Sequence, residues 1–237
     1  MDIKGWARTS LIDFPGHIAT VLFTAGCNFR CPMCHNAELV LRPGALPSLR
    51  LDELWAFLAK RAGKITGVVV TGGEPTLQPD LPELLERVRD LGYVVKLDSN
   101  GYRPDALADL LDADLVDFVA MDVKAPPEKY ELLAGVPDLD LGRIQASLDL
   151  LSRGGVPCEF RTTVVPDMLD GDDVEAIGRW LSSAGAGSMV RYVLQQFRGQ
   201  NTLDPALADV TPYTSDRLRE MAERARIWLP EVTCRGI

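Results

Sequence analysis

Gly67-Val68-Val69-Val70-Thr71-Gly72-Gly73-Glu74 is a short apolar run that stops at two glycines and an acid. A run of valines without polar alternation fits a strand covered on both faces, as in a parallel sheet. Working outward from it, similar runs occupy His17–Thr24, Tyr93–Asp98, Leu115–Asp122, Cys158–Val165 and Met189–Gln195. Helical patterns fall between them at Leu51–Ala62, Leu81–Leu91, Asp105–Leu111, Leu141–Arg153 and Asp172–Ser182, and a last helix is expected over Ser215–Trp228. Asp80 before Leu81-Pro82 reads as an N-cap with an early proline, while Gly92, Gly154-Gly155 and Gly185 read as stops. Six βα units in series predict an α/β fold whose parallel sheet is either open and doubly wound or curved into part of a barrel. In both arrangements an active site belongs at the C-terminal ends of the strands.

The 237 residues read as a single domain, and 46% hydrophobic content supports a sizeable core and argues against disorder. Residues 1–16 are taken as a short N-terminal extension and residues from about 205 to 237 as a C-terminal helix and tail. Leu41–Leu49, with two prolines and a glycine, reads as a surface loop. No apolar run is long enough to span a bilayer, and Met1-Asp2-Ile3-Lys4-Gly5-Trp6 has no secretory apolar segment. A cytoplasmic location is the expectation. The 25 basic against 34 acidic side chains, net −9, do not favour a nucleic-acid partner. The Arg217–Arg226 stretch interleaves Glu220 and Glu223 and reads as a solvated helix face.

Cys27-Asn28-Phe29-Arg30-Cys31-Pro32-Met33-Cys34 is a CxxxCxxC triplet with no fourth cysteine nearby. Three thiolates on a four-iron cluster leave one iron with an open position, the mark of a reactive metal centre. Two rivals stay open at this point: a zinc site with His35 as fourth ligand, and a structural or redox use of the thiols. Adjacent residues rarely aim at one tetrahedral ion, which weighs against Cys34 and His35 acting together.

The other strand ends are polar too. They carry Gly72-Gly73-Glu74, Asp98-Ser99-Asn100, Asp122-Val123-Lys124 and Gln195-Gln196, while Arg161 stands on the fifth strand. Each alone reads as a turn or cap; their agreement in position points to a ligand. Paired glycines let backbone approach closely, Glu74 can accept from an amine, Lys124 can meet a carboxylate, and Asp98 with Asp122 can hold a hard cation or ribose hydroxyls. An amine, a carboxylate and a ribose beside an open iron describe S-adenosylmethionine.

With these residues in place, the chain resembles the radical S-adenosylmethionine superfamily over essentially its whole length. Ser10-Leu11-Ile12-Asp13-Phe14-Pro15-Gly16, Cys34-His35-Asn36, Gly72-Gly73-Glu74-Pro75-Thr76, Asp98-Ser99-Asn100-Gly101, Met121-Asp122-Val123-Lys124-Ala125-Pro126 and Gln195-Gln196-Phe197 resemble glycyl-radical activating enzymes. The nearest group is the anaerobic ribonucleoside-triphosphate reductase activating proteins. The resemblance implies a partial (βα)6 TIM-like barrel with a [4Fe–4S] cluster on Cys27, Cys31 and Cys34. It implies reductive cleavage of S-adenosylmethionine to a 5′-deoxyadenosyl radical, which takes hydrogen from a glycine of a partner enzyme. No side-chain acid or base is required.

By the same resemblance Gly72, Gly73 and Glu74 hold the methionine amine and Lys124 its carboxylate. Asp98 and Asp122 look like a pair that helps bind a monovalent cation, and Asn100, Arg161 and Gln195 are candidates for ribose, carboxylate or adenine contacts. Met33 and His35 complete the cofactor set; Met33 stands where the family usually has an aromatic, and its soft sulfur can pack on adenine. Ser99 replaces a commoner threonine. A flavodoxin or ferredoxin is the implied electron donor. Two alternatives accompany this reading: a small-molecule radical enzyme similar to 7-carboxy-7-deazaguanine synthase, and a non-catalytic iron–sulfur or zinc protein. Cys158 reads as a core residue, Cys234 as an ordinary thiol and His17 as a turn residue.

Overall fold

The computed structural model describes residues 1–186 and 190–237, and it packs as two compact units. The first comprises Met1–Asn28, Glu38–Ser99 and Asp105–Val119; the second comprises Phe29–Ala37, Asn100–Pro104 and Ala120–Ile237. In chain order the elements begin with β1 (Ile3–Ser10), β2 (Ala19–Thr24), α1 (Ala37–Leu41), α2 (Leu51–Arg61), β3 (Gly67–Gly72), α3 (Leu81–Asp90), β4 (Val94–Ser99) and α4 (Pro104–Asp112). They continue with β5 (Phe118–Asp122), α5 (Tyr130–Ala134), α6 (Leu141–Ser152), β6 (Cys158–Val164), α7 (Gly171–Ser183), β7 (Val190–Gln196), α8 (Ser215–Ala225) and β8 (Val232–Arg235).

In the first unit the strands run in the order β1-β2-β3-β4. β1 is antiparallel to β2, whereas β2–β3 and β3–β4 are parallel, with Val21 opposite Val69 and Val69 opposite Lys96. The valines of β3 are wholly buried, as their unbroken apolar run requires. Phe14, Ala19, Val21 and Val69 form one core cluster there. In the second unit β6, β7 and β8 are parallel, and the capping box of Asp170 and Asp173 starts α7. Apart from β1, every pairing described in the two units is parallel, so the fold class is α/β with a mostly parallel sheet.

The six expected strands are present with small shifts. Met189, the expected start of β7, lies outside the described residues. β5 starts at Phe118 and not at Leu115; the Asp117 carboxylate takes the Val95 amide at 2.7 Å and so occupies the place of a ladder bond. Asp80 stands at the N-cap of α3 but makes no capping bond, because its carboxylate turns to the Met1 amine. Two strands were not legible beforehand. β1 is half-exposed and interrupted by Lys4, Gly5 and Arg8, and β8 has only four residues. Short helices α1 and α5 were also missed, being too brief to show a helical period.

Candidate functional site

In the first unit the end of β3 is locked to the turn that follows β2. Gly73 N–H donates to Thr24 O at 2.9 Å, and Glu74 N–H donates to Gly26 O at 2.8 Å. The approach leaves no room for side chains. A Cβ on Gly73 would stand 1.7 Å from Gly26 O, and one on Gly72, whose φ is +117°, would stand 2.2 Å from Thr24 N. Both glycines are therefore dictated by backbone contact. Cys27 follows directly. Glu74 is buried, and its Oε1 accepts from Thr76 N at 3.1 Å, Thr76 Oγ1 at 2.6 Å and Ser99 Oγ at 2.9 Å. This acid anchors the loop and ties it to the end of β4. Asp98 on β4 pairs with the buried Lys96 two residues earlier on the same face.

In the second unit the rest of the cysteine loop is held from two sides. Arg30 N–H donates to Ala134 O at 2.8 Å, the Cys31 thiol faces the same carbonyl at 3.8 Å, and Cys34 N–H donates to Cys31 O at 3.0 Å. Gly135 ends α5 with φ +65°, and a Cβ there would meet Arg30 O at 2.2 Å. On the other side Asp204 N–H donates to Pro32 O at 2.9 Å, and His35 Nε2 lies 2.8 Å from Arg198 O. A carbonyl only accepts, so Nε2 carries the proton and is engaged with the backbone. That contact ties His35 to the backbone at Arg198. Met33 is buried.

The same unit carries a chain of alternating charges. Lys124 Nζ meets Asp122 Oδ2 at 2.9 Å, and Arg161 Nε meets Asp122 Oδ1 at 2.8 Å. Arg161 lies 3.9 Å from Glu159, which Arg235 grips with both terminal nitrogens at 3.0 and 2.9 Å. Burial acts to raise the Asp122 pKa, but Arg161 and then Lys124 outweigh it and hold the carboxyl well below its usual range. Burial acts to lower Lys124, yet Asp122 wins and keeps the ammonium firmly charged. Asn100 is buried and accepts from Tyr102 N at 3.0 Å through Oδ1; Gln195 Nε2 stands 3.4 Å from Thr163 Oγ1.

The residues thus gather in two groups. Cys27, Gly72, Gly73, Glu74 and Asp98 belong to the first unit, and Cys31, Met33, Cys34, His35, Asn100, Asp122, Lys124, Arg161 and Gln195 to the second. Among the described residues no three His, Cys, Asp or Glu side chains form a ready-made metal cluster. Cys158 is buried in β6 and His17 Nδ1 contacts Thr66 Oγ1 at 3.1 Å, in keeping with a core thiol and a turn residue.

A family model described as Radical SAM superfamily matches residues 21–181, which takes in the cysteine triplet, the glycine pair and every strand end up to Arg161. The chain belongs to the Radical SAM superfamily. A protein of Methanocaldococcus jannaschii named as a glycyl-radical enzyme activating enzyme is 31% identical over 99% of this chain and 96% of its own length. The pyruvate formate-lyase-activating enzyme of Clostridium pasteurianum is 29% identical over 68% of this chain and 67% of its own. Among solved structures, Streptococcus suis SuiB bound to the precursor peptide SuiA superposes with a TM-score of 0.69 at 14% identity, covering 91% of this chain and 48% of that one. That likeness carries the fold alone, and the parallel α/β pattern agrees with the partial barrel expected of a radical SAM core.

The donor set fits the iron–sulfur group that this family implies. Cys27, Cys31 and Cys34 all lie outside any disulfide. Burial pushes the Cys31 thiol up to about 11, with Lys124 pulling against it, so a bare thiolate is costly there and a bound metal cation would offset that cost. Three members of these ion pairs escaped sequence reading: Lys96, Glu159 and Arg235. Their only signal was a charge set inside an apolar strand, at a two-residue spacing from a candidate site residue in the first two cases.

Proposed function

We propose that this radical SAM enzyme is an activase that installs a glycyl radical on a partner enzyme, an anaerobic ribonucleoside-triphosphate reductase. The observation that carries the reading is the end-to-end similarity to a glycyl-radical enzyme activating enzyme, 99% of this chain against 96% of that one. The chemistry supplied from outside the polypeptide is one-electron reductive cleavage of S-adenosylmethionine at a [4Fe–4S] cluster, which furnishes the hydrogen-abstracting radical. Cys27, Cys31 and Cys34 hold the cluster. Gly72 and Gly73 offer backbone to the methionine amine, and Glu74 faces it from a carboxylate already fixed by Thr76 and Ser99. Lys124, kept charged by Asp122, meets the methionine carboxylate. Asn100, Arg161 and Gln195 serve the ribose, carboxylate or adenine, Met33 packs on the adenine, and His35 completes the cofactor set, its Nε2 against the Arg198 carbonyl.

The monovalent cation is assigned to Asp98 and Asp122, each of which also has a lysine partner, Lys96 or Lys124. The whole chain works as one catalytic core in the cytoplasm, with a flavodoxin or ferredoxin as electron donor; no described helix is long and apolar enough to cross a membrane. The test is electron paramagnetic resonance on anaerobically reconstituted, reduced protein mixed with S-adenosylmethionine and an anaerobic ribonucleotide reductase. A glycyl-radical doublet with matching 5′-deoxyadenosine supports the reading. Cofactor cleavage without the doublet discards the partner, and neither signal from an intact, reduced cluster discards the activase.

A further inference from the structure

We propose that Arg235, on β8, is a positioning residue for recognition of the S-adenosylmethionine carboxylate, acting through Glu159, Arg161 and Asp122 on Lys124. The proposal rests on the assignment of Lys124 to that carboxylate. Glu159 is the pivot. It projects from the start of β6 with 0% exposure, and a carboxylate so buried must be paired. Arg235 meets both of its oxygens, at 3.0 and 2.9 Å, in the two-pronged geometry that guanidinium groups favour. Because Glu159 is satisfied from that side, Arg161 stays 3.9 Å away from it and gives its Nε to Asp122 at 2.8 Å. Asp122 is therefore shared, one oxygen to Arg161 and the other to Lys124.

The charges along the chain are Lys124⁺, Asp122⁻, Arg161⁺, Glu159⁻ and Arg235⁺. Without Arg235, Glu159 would lose both of its guanidinium contacts, at 3.0 and 2.9 Å. Glu159 would recruit Arg161, whose guanidinium already stands 3.9 Å from it, and Arg161 would release Asp122. Asp122 would then bind Lys124 with both oxygens as a neutral pair, and the ligand carboxylate would lose its partner. A residue on the last strand would in this way set the strength of a contact two strands or more distant from it.

The experiment is equilibrium dialysis of cluster-loaded, unreduced protein with S-adenosylmethionine and, separately, with decarboxylated S-adenosylmethionine. For Arg235→Met the dissociation constant for S-adenosylmethionine rises about tenfold, the scale of coupling inside one ion network. The decarboxylated ligand, having no carboxylate to lose, binds as it does to the unmodified protein. The double variant Glu159→Gln with Arg235→Met removes the buried charge together with its partner and returns S-adenosylmethionine affinity to within about threefold of the starting value. Equal losses for both ligands would reduce Arg235 to a general structural role and overturn the proposal, as would unchanged affinity or a double variant no better than the single one. If Arg235→Met does not fold, Arg235→Lys, which keeps the charge and loses the two-pronged grip, carries the same comparison between ligands. Failure of the unmodified protein to bind S-adenosylmethionine would instead remove the functional reading itself.

Discussion

Gly73→Ala is the sharpest test of how the glycine pair works. The added carbon would lie 1.7 Å from Gly26 O and 2.5 Å from Gly26 C, both backbone atoms that no rotamer can move. A carbon and an oxygen normally approach to about 3.3 Å, so the two segments must part by roughly 1.5 Å. That separation breaks the Glu74 N–Gly26 O bond of 2.8 Å and strains the Gly73 N–Thr24 O bond of 2.9 Å. Two net hydrogen bonds at about 1 kcal/mol each, with about 1–3 kcal/mol for overpacking, give a loss of about 3–5 kcal/mol. At about 2–4 °C per kcal/mol for a chain of this size, the melting temperature falls by roughly 6–20 °C. The assay is calorimetric melting of the metal-free protein beside Gly155→Ala, a glycine with open space around it and no left-handed φ. The control shifts stability by no more than about 0.5 kcal/mol. A Gly73→Ala protein melting within about 2 °C of the original, with cofactor affinity intact, would refute the claim that direct backbone contact dictates this glycine.

Other perturbations separate the remaining roles. Cys31→Ala lowers bound iron by more than the roughly 10–100-fold loss in metal affinity typical of outer-shell changes, measured as iron and sulfide per chain after anaerobic reconstitution; full retention removes Cys31 from the ligand set. Lys124→Ala leaves iron content unchanged and weakens S-adenosylmethionine binding by about 10–100-fold, the worth of a charge-assisted hydrogen bond; unaltered affinity in a titration removes Lys124 from the site. Cys158, pushed up to about 12 by burial and then by Glu159, favours the protonated thiol in the fold. Its contribution is complete below the unfolded thiol value of about 8.5 and is lost as pH rises toward the folded one, about 2 kcal/mol by pH 10. Urea midpoints of Cys158→Ala should accordingly fall less steeply between pH 8 and pH 10 than those of the parent chain, and equal slopes would disprove it.

The parallel strands were legible because burial on both faces leaves an unbroken apolar run, as Val68-Val69-Val70 shows. The glycine pair was legible because close backbone approach demands glycine. The edge strands β1 and β8 were not, since half-exposed or four-residue strands carry no such run. Asp80 shows another limit: its cap position was legible, its partner was not, because Met1 lies far away in sequence. The ion network failed for a related reason. Glu159 and Arg161 are two apart on β6, which the sequence displays, but their link to Arg235 depends on a register, Cys158 opposite Val190 and Gln195 opposite Arg235, that exists only once the sheet is built. His35 shows the same limit: the carbonyl it meets, Arg198 O, lies 163 residues further on.

The cysteine loop is gripped mainly through main-chain atoms, at Ala134 O, Pro32 O and Arg198 O. Such a grip ignores what the gripping residues are. At the exposed Arg198 a substitution leaves the carbonyl in place and is tolerated, whereas Ala134 is wholly buried and the Asp204 carboxylate also accepts from Ala206 N, so these two carry side-chain duties of their own. Gly135, between them and the loop, has no such licence, because any side chain there would meet Arg30 O. Saturation mutagenesis would draw this as a contour: a permissive position at 198, an intolerant column at 135, and a cysteine loop whose constraints are written largely in geometry.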